Sequence, residues 1–182
     1  MRVITGLARG RRLKSLPGDD VRPTSDKVKE GIFSAIQFDI EGRRFLDLFA
    51  GSGQMGIEAL SRGCASSVFV DVSKESAKII KENIAVCKFE EESRVVNSDF
   101  SVFLATCKDT FDIAFLDPPY KAGLLQKALL GTTRVMSNFG IIICEHPTDI
   151  SLPDKAGDFK VSKVYRYGKI NLTVYKKENE NE

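Results

Sequence analysis

From Phe45 onward, short apolar runs alternate with amphipathic segments of helical period. Phe45-Leu46-Asp47-Leu48-Phe49, Val68-Phe69-Val70-Asp71, Val95-Val96, residues 112–116 and Ile141-Ile142-Ile143-Cys144-Glu145 are nearly unbroken in hydrophobicity, as strands covered on both faces are. Residues 55–62, 74–87 and 121–135 read as the intervening helices. This alternation predicts an α/β fold with a doubly wound, mostly parallel sheet. After His146-Pro147 the period becomes two: Ile170, Leu172 and Val174 alternate with Asn171, Thr173 and Tyr175, and a turn at Gly168-Lys169 joins them to residues 159–167. An antiparallel hairpin at the sheet edge fits, and it brings the expected strand count to seven. Ahead of the core, Val3, Ile4, Leu7, Leu13 and Leu16 are interspersed with basic residues around Gly6 and Gly10, the pattern of a short β-hairpin arm. Ser25 or Asp26 then caps a helix whose one face carries Val28, Ile32, Ala35 and Ile36. Residues 178–182 contain nothing apolar and read as a disordered tail. The expected organisation is an arm over 1–22, one core over 23–177, and the tail.

At 182 residues, 42% hydrophobic and 29% charged, the chain has the size and make-up of one soluble globular domain. No apolar run approaches the roughly 18 residues of a membrane span, and Met1 to Thr5 lead into basic residues where a signal peptide would turn apolar, so a cytoplasmic protein without a membrane partner is expected. Cys64, Cys87, Cys107 and Cys144 form no CxxC pair and read as free thiols, and the single His146 leaves little from which to build a metal centre or a triad, so no metal is expected. The chemistry falls to carboxylates. The net charge of +2 is uneven: Arg2, Arg9, Arg11, Arg12, Lys14 and Arg22 face only Asp19 and Asp20 within the arm. A solvated basic loop and a contact to nucleic-acid phosphates both fit that cluster. Arg22, Pro23 and Thr24 stand just before a helix start, where free amides suit an anion or a substrate edge.

Asp117-Pro118-Pro119-Tyr120 closes the fourth strand. Two prolines end a ladder abruptly, because neither donates a hydrogen bond and each fixes its own φ. They leave a carboxylate, a carbonyl and an aromatic face at the carboxyl end of the sheet, where ligands bind in open α/β folds. Such a group can hold a planar amine, as on a nucleobase. Gly51-x-Gly53-x-x-Gly56 follows the first strand, and Asp71 ends the second, 20 positions beyond Gly51. This is the spacing of a loop that approaches an adenosine-type ligand and an acid that accepts from its ribose. Asp47 stands four positions before Gly51, at the end of the first strand. Its charge opposes a pyrophosphate and suits the sulfonium and ammonium of S-adenosylmethionine, although a structural turn acid, and with it a nicotinamide cofactor, also fits. Asp99, beyond the third strand, suits an adenine amine, with Phe100 against the ring; capping a helix is its other use. Asp47, Asp71, Asp99 and Asp117 would thus share one rim.

Asp47-Leu48-Phe49-Ala50-Gly51-Ser52-Gly53, Asp71, Asp99 and Asp117-Pro118-Pro119-Tyr120 resemble the ordered motifs of class I S-adenosylmethionine-dependent amino-methyltransferases. Arg22-Pro23-Thr24, Gly56-Ile57-Glu58-Ala59-Leu60-Ser61-Arg62-Gly63 and Tyr167-Gly168 narrow the resemblance to the RsmD family, over about residues 1 to 176. That resemblance implies a Rossmann-like methyltransferase sheet, S-adenosyl-L-methionine as methyl donor, and the exocyclic N2 of a guanine in 16S ribosomal RNA as acceptor. The partner is then ribosomal RNA or the immature small ribosomal subunit. It makes Asp117, Pro118, Pro119 and Tyr120 the catalytic motif. It assigns the donor to the Asp47–Gly53 loop, with Asp47, Ala50, Gly51, Ser52 and Gly53, and to Asp71. From the residues themselves, Val72, Asp99 and Phe100 join the donor site, and Arg9, Arg11, Arg12, Arg22, Pro23 and Thr24 go to the RNA. Gln54 and Met55 depart from the small or apolar residues usual there. A DNA amino-methyltransferase, a nicotinamide oxidoreductase and a non-catalytic RNA-binding assembly factor are the alternatives.

Overall fold

The computed structural model describes residues 1–17, 25–119 and 123–177. The expected tail and the candidates Arg22, Pro23, Thr24 and Tyr120 lie outside the described residues. Strands β1 (Arg44–Asp47), β2 (Ser66–Asp71), β3 (Ser93–Asn97), β4 (Phe111–Leu116) and β5 (Met136–Pro147) pair in parallel in the order β3-β2-β1-β4-β5. Three antiparallel strands extend the β5 edge. β6 (Lys155–Ala156), β7 (Phe159–Tyr167) and β8 (Ile170–Lys177) complete the order as β5-β8-β7-β6. The sheet therefore has eight strands where seven were expected; the additional one is the two-residue β6, too short to leave a periodic signature.

Successive strand residues point to opposite faces, and here both faces are covered. Phe45, Phe69, Ile113, Phe115, Ile141 and Ile143 pack with α1 (Asp26–Ala35), α2 (Gln54–Ser61) and α3 (Lys74–Cys87). Leu46, Val68, Val70, Ala114, Leu116 and Ile142 pack with α4 (Phe100–Thr106) and α5 (Leu124–Thr132). The helix starts follow capping chemistry: the Ser25 hydroxyl accepts from the Val28 amide at 3.3 Å, and the Ser73 hydroxyl from Ser76 at 3.2 Å. Among the described residues, no helix is long and apolar enough to cross a membrane.

The arm makes one isolated bridge, Arg2 to Arg12, rather than two full strands. It is tied across by Val3 amide to Arg11 carbonyl at 3.0 Å and Leu13 amide to Met1 carbonyl at 3.0 Å. Val3, Ala8 and Leu13 are buried in the same cluster as α1 and α2. These are few apolar anchors, since fixing each backbone unit costs about 1–2 kcal/mol. The rest of the hold is polar and comes from α1, α2 and α3.

Candidate active site

Because β1 to β5 are parallel, their carboxyl ends form a single rim, and the strand order reverses between β1 and β4. That crevice is where ligands bind in open α/β sheets. Asp47 and Asp71 are the last residues of β1 and β2, Asp117 follows β4, and Asp99 stands just past β3. Asp47 and Asp71 lie two positions beyond Phe45 and Phe69, so the alternation turns them toward the α1–α3 face.

Asp47 is buried beneath the loop that leads into α2 and accepts from the Gly56 amide at 3.0 Å. Burial, opposed by that bond and assisted by the charge of Asp71, pushes its carboxyl up to about 7. Gly51 and Gly53 have φ of +55° and +80°, a region side chains disfavour, and they turn the chain from strand to helix within a few residues. A Cβ on Gly56 would lie 2.3 Å from the Phe69 ring, so this glycine sets the close packing of α2 on β2. Among the described residues, a Cβ on Gly51 would meet only Leu16 Cδ1, at 4.0 Å, so no described residue fills the space beside this part of the loop. Ala50 is held by its amide to the Val70 carbonyl at 3.0 Å. Gln54 and Met55 are buried in the first turn of α2.

Asp71 accepts from the Gly51 amide at 2.8 Å through one oxygen and from the Ser73 amide at 2.8 Å through the other. Each oxygen keeps a second lone pair, which a vicinal diol can use. Val72 is 71% exposed at this rim, an apolar surface beside the acid, and Asn97 braces the turn by donating to the Asp71 and Val72 carbonyls at 2.9 Å. Asp99 caps α4. It accepts from the Ser101 amide at 2.8 Å and from the Ser101 hydroxyl, and these bonds, the hydroxyl's first, hold its carboxyl below the usual range. Phe100 stands against Phe49 with ring centroids 5.3 Å apart.

Pro118 is buried and Pro119 exposed, so the chain leaves the sheet between them. Burial, then the charges of Glu145 and Asp47, raise the Asp117 carboxyl well above the usual range. Glu145 was not singled out in the sequence. It sits on β5 beside the end of β4, one position past the Leu116–Cys144 pair, and is buried. Three carboxyl groups of neighbouring strands thus converge where the sheet reverses. An added cation would stabilise their ionised forms. His146 is occupied elsewhere, with Nε2 2.8 Å from the Thr173 hydroxyl and Nδ1 2.9 Å from the Pro147 carbonyl.

Arg9, Arg11 and Arg12 are all exposed on the arm. Glu58, fully buried on α2, accepts from the Ile4 and Thr5 amides at 2.8 and 3.0 Å, from Arg62 Nε at 2.9 Å, and pairs with buried Lys29 at 3.5 Å. Lys29 Nζ donates to the Arg2 carbonyl at 2.7 Å. The Ser61 hydroxyl accepts from Ala8 at 2.9 Å and donates to the Thr5 carbonyl at 2.5 Å. The Glu58-to-Arg62 segment that distinguishes the resemblance therefore holds the arm.

The chain is similar to known proteins over nearly its whole length. Residues 1–176 match the family described as "Conserved hypothetical protein 95". The Bacillus subtilis protein YlbH is 39% identical over 97% of this chain and 99% of its own. The ribosomal RNA small subunit methyltransferase D of Escherichia coli is 32% identical over 100% of this chain and 92% of its own. The solved structure of the Escherichia coli protein yhhF superposes with a TM-score of 0.86 at 31% identity, covering 99% of both chains. On the match across residues 1–176 and on relatives aligned nearly end to end, the chain belongs to the family described as conserved hypothetical protein 95, the RsmD family that its motifs resemble.

Proposed function

We propose that the protein transfers a methyl group from S-adenosylmethionine to the exocyclic N2 amine of a guanine in 16S ribosomal RNA, on the RNA or on the immature small subunit. The observation that carries the reading is the placement of Asp47 and Asp117 on the two strands that flank the reversal of strand order, with a glycine loop and Asp71 alongside. The name of the Escherichia coli relative supports the choice of RNA. The site's residues fit the donor: a side of Gly51 that no described residue fills, an acid with lone pairs to spare at Asp71, a buried carboxyl group at Asp47 and a half-buried one at Asp117.

S-adenosylmethionine supplies an electrophilic methyl group on a sulfonium. Asp71 accepts from the ribose hydroxyls, Val72 and Phe100 offer apolar surface to the adenine, and Asp47 faces the positive end. Asp117 and the Pro118 carbonyl accept hydrogen bonds from the two amine hydrogens. This returns electron density to a nitrogen whose lone pair is otherwise delocalised into the guanine ring, and it aims that lone pair at the methyl. One of the two protons leaves the nitrogen, to Asp117 or to water, as the methyl moves from sulfur to nitrogen. Tyr120 supplies a stacking face. Orientation and fixed charges provide most of the acceleration, with no covalent enzyme intermediate. The base reaches the rim unpaired or extruded, and the arm arginines hold the flanking phosphates.

Small ribosomal subunits from cells lacking the protein should accept tritium from labelled donor, with the label mapping to one guanine N2. Absence of transfer, or label on another base, overturns the assignment.

The pH dependence of binding follows from the raised carboxyls. A cation binds the ionised form, so donor affinity should fall as pH drops through about 7, toward a limit of about tenfold per pH unit for each carboxyl involved. 5′-Deoxy-5′-methylthioadenosine, which lacks both positive charges, should bind with little pH dependence. Asp47→Asn should flatten the donor's profile. It should also change the stability profile. Between the ordinary carboxyl value near 4 and about 7, native Asp47 keeps a proton that the unfolded chain has lost, so native stability falls as pH rises across that window. The Asn variant loses that slope. Parallel calorimetric profiles for the two ligands would refute the role of Asp47.

A further inference from the structure

Asn83 lies on α3, and its side chain is completely buried. Its amide nitrogen donates to two carbonyls that belong to different parts of the molecule: Ser52 of the glycine loop at 2.9 Å and Lys14 of the arm at 3.0 Å. Its oxygen accepts from the Lys14 amide at 2.8 Å. All three bonds reach main-chain atoms, so one side chain joins the backbone of Lys14 to that of Ser52, from positions 69 and 31 residues away. One further contact joins the loop to the arm, the Ser52 hydroxyl lying 3.5 Å from Met1 sulfur, and among the described residues Leu16 Cδ1 lies nearest the open side of Gly51, 4.0 Å from where a Cβ would stand. The donor loop, Met1 and Lys14 are therefore held together, while Arg9, Arg11 and Arg12 remain exposed.

We propose that Asn83 is a positioning residue that couples the two ligands of the proposed reaction: occupancy of the Gly51–Ser52 loop sets the placement of the arm, and RNA on the arm sets the loop. The inference rests on the reading of the protein as a donor-dependent RNA methyltransferase. Coupling through a fixed contact is reciprocal, so S-adenosylhomocysteine should tighten binding to the small subunit by the same factor by which the subunit tightens S-adenosylhomocysteine. Couplings of this kind commonly amount to about 5- to 150-fold. An Asn side chain suits the task because it donates twice and accepts once in a fixed plane, which no aliphatic or acidic side chain of similar size does.

The test is a binding cycle on the full chain. The probes are S-adenosylhomocysteine, followed by calorimetry, and small ribosomal subunits from cells lacking the protein, followed by fluorescence anisotropy of the labelled protein. In the unaltered protein both factors should exceed about fivefold and agree. Asn83→Asp keeps the acceptor for Lys14 and loses both donations, and it should reduce the factor to near one while each ligand still binds alone. Leu16→Ala shortens the half-buried side chain that, among the described residues, lies nearest the open side of Gly51, and should reduce the factor in part; it serves should the Asp variant fail to fold. A factor of one in the unaltered protein, or an unchanged factor in both variants, overturns the coupling and leaves the methyltransferase reading standing. Failure of S-adenosylhomocysteine to bind the unaltered protein removes both readings together.

Discussion

Asp117→Asn is expected to lower kcat by about 10²- to 10⁴-fold and to leave the affinity for S-adenosylhomocysteine nearly unchanged. The substitution keeps shape and one acceptor oxygen but removes the charge. During transfer, positive charge moves from sulfur to the amine nitrogen, and an acid at the end of β4 is placed to stabilise the nitrogen as that charge develops. S-adenosylhomocysteine is uncharged at sulfur, so its binding takes little from Asp117. Burial and the neighbouring charges of Glu145 and Asp47 raise the Asp117 carboxyl, and for that reason a neutral amide should fold at least as well in its place. Single-turnover methylation, calorimetry with S-adenosylhomocysteine and a thermal melt separate the cases. A turnover loss with intact binding and melting supports the acceptor role. Equal losses in all three would mark Asp117 as structural, and unchanged turnover would remove it from the mechanism.

The parallel core was legible because both sheet faces are covered, so its strands read as unbroken apolar runs, and the acids stood out as polar residues ending them. The same logic extends to Glu145, which ends the apolar run of β5; the signal was present, though the residue was read only as part of a strand. α4 was missed because its seven residues span less than two helical turns of pattern between β3 and β4. β5 begins earlier than expected since Ser137, Asn138 and Gly140 interrupt the apolar run, and the β4–β5 register shifts there. Asp99 shows how one residue type serves two uses: an adenine contact and a helix cap were both read for it, and its carboxylate caps α4 at the rim. Asn83 was illegible for a different reason. Its partners are remote in sequence, and one polar residue in an amphipathic helix looks like part of the solvated face.

Lys29 and Glu58 were hidden in the same way, and their burial leads to the largest expected effect on stability. Glu58→Gln should destabilise the protein by about 3–5 kcal/mol, because it strands the fully buried ammonium of Lys29 without its counter-charge. In a chain of this size each kcal/mol shifts Tm by about 2–4 °C, so a drop of roughly 6–20 °C is expected. Lys29→Met alone should also be costly, since it leaves a buried carboxylate with Arg62 as its one remaining cationic partner among the described residues. The double variant Lys29→Met/Glu58→Gln should be less destabilised than the sum of the two, because no uncompensated buried charge from this pair remains. The pair also holds the arm: Glu58 receives the Ile4 and Thr5 amides and Lys29 binds the Arg2 carbonyl. The single variants should therefore expose residues 1–17 to limited proteolysis well below the global melt, with cleavage there preceding cleavage of the sheet. Urea melts and timed proteolysis measure both effects. Single-variant changes within about 0.5 kcal/mol, the range of ordinary surface substitutions, would show that the ion pair neither stabilises the core nor anchors the arm.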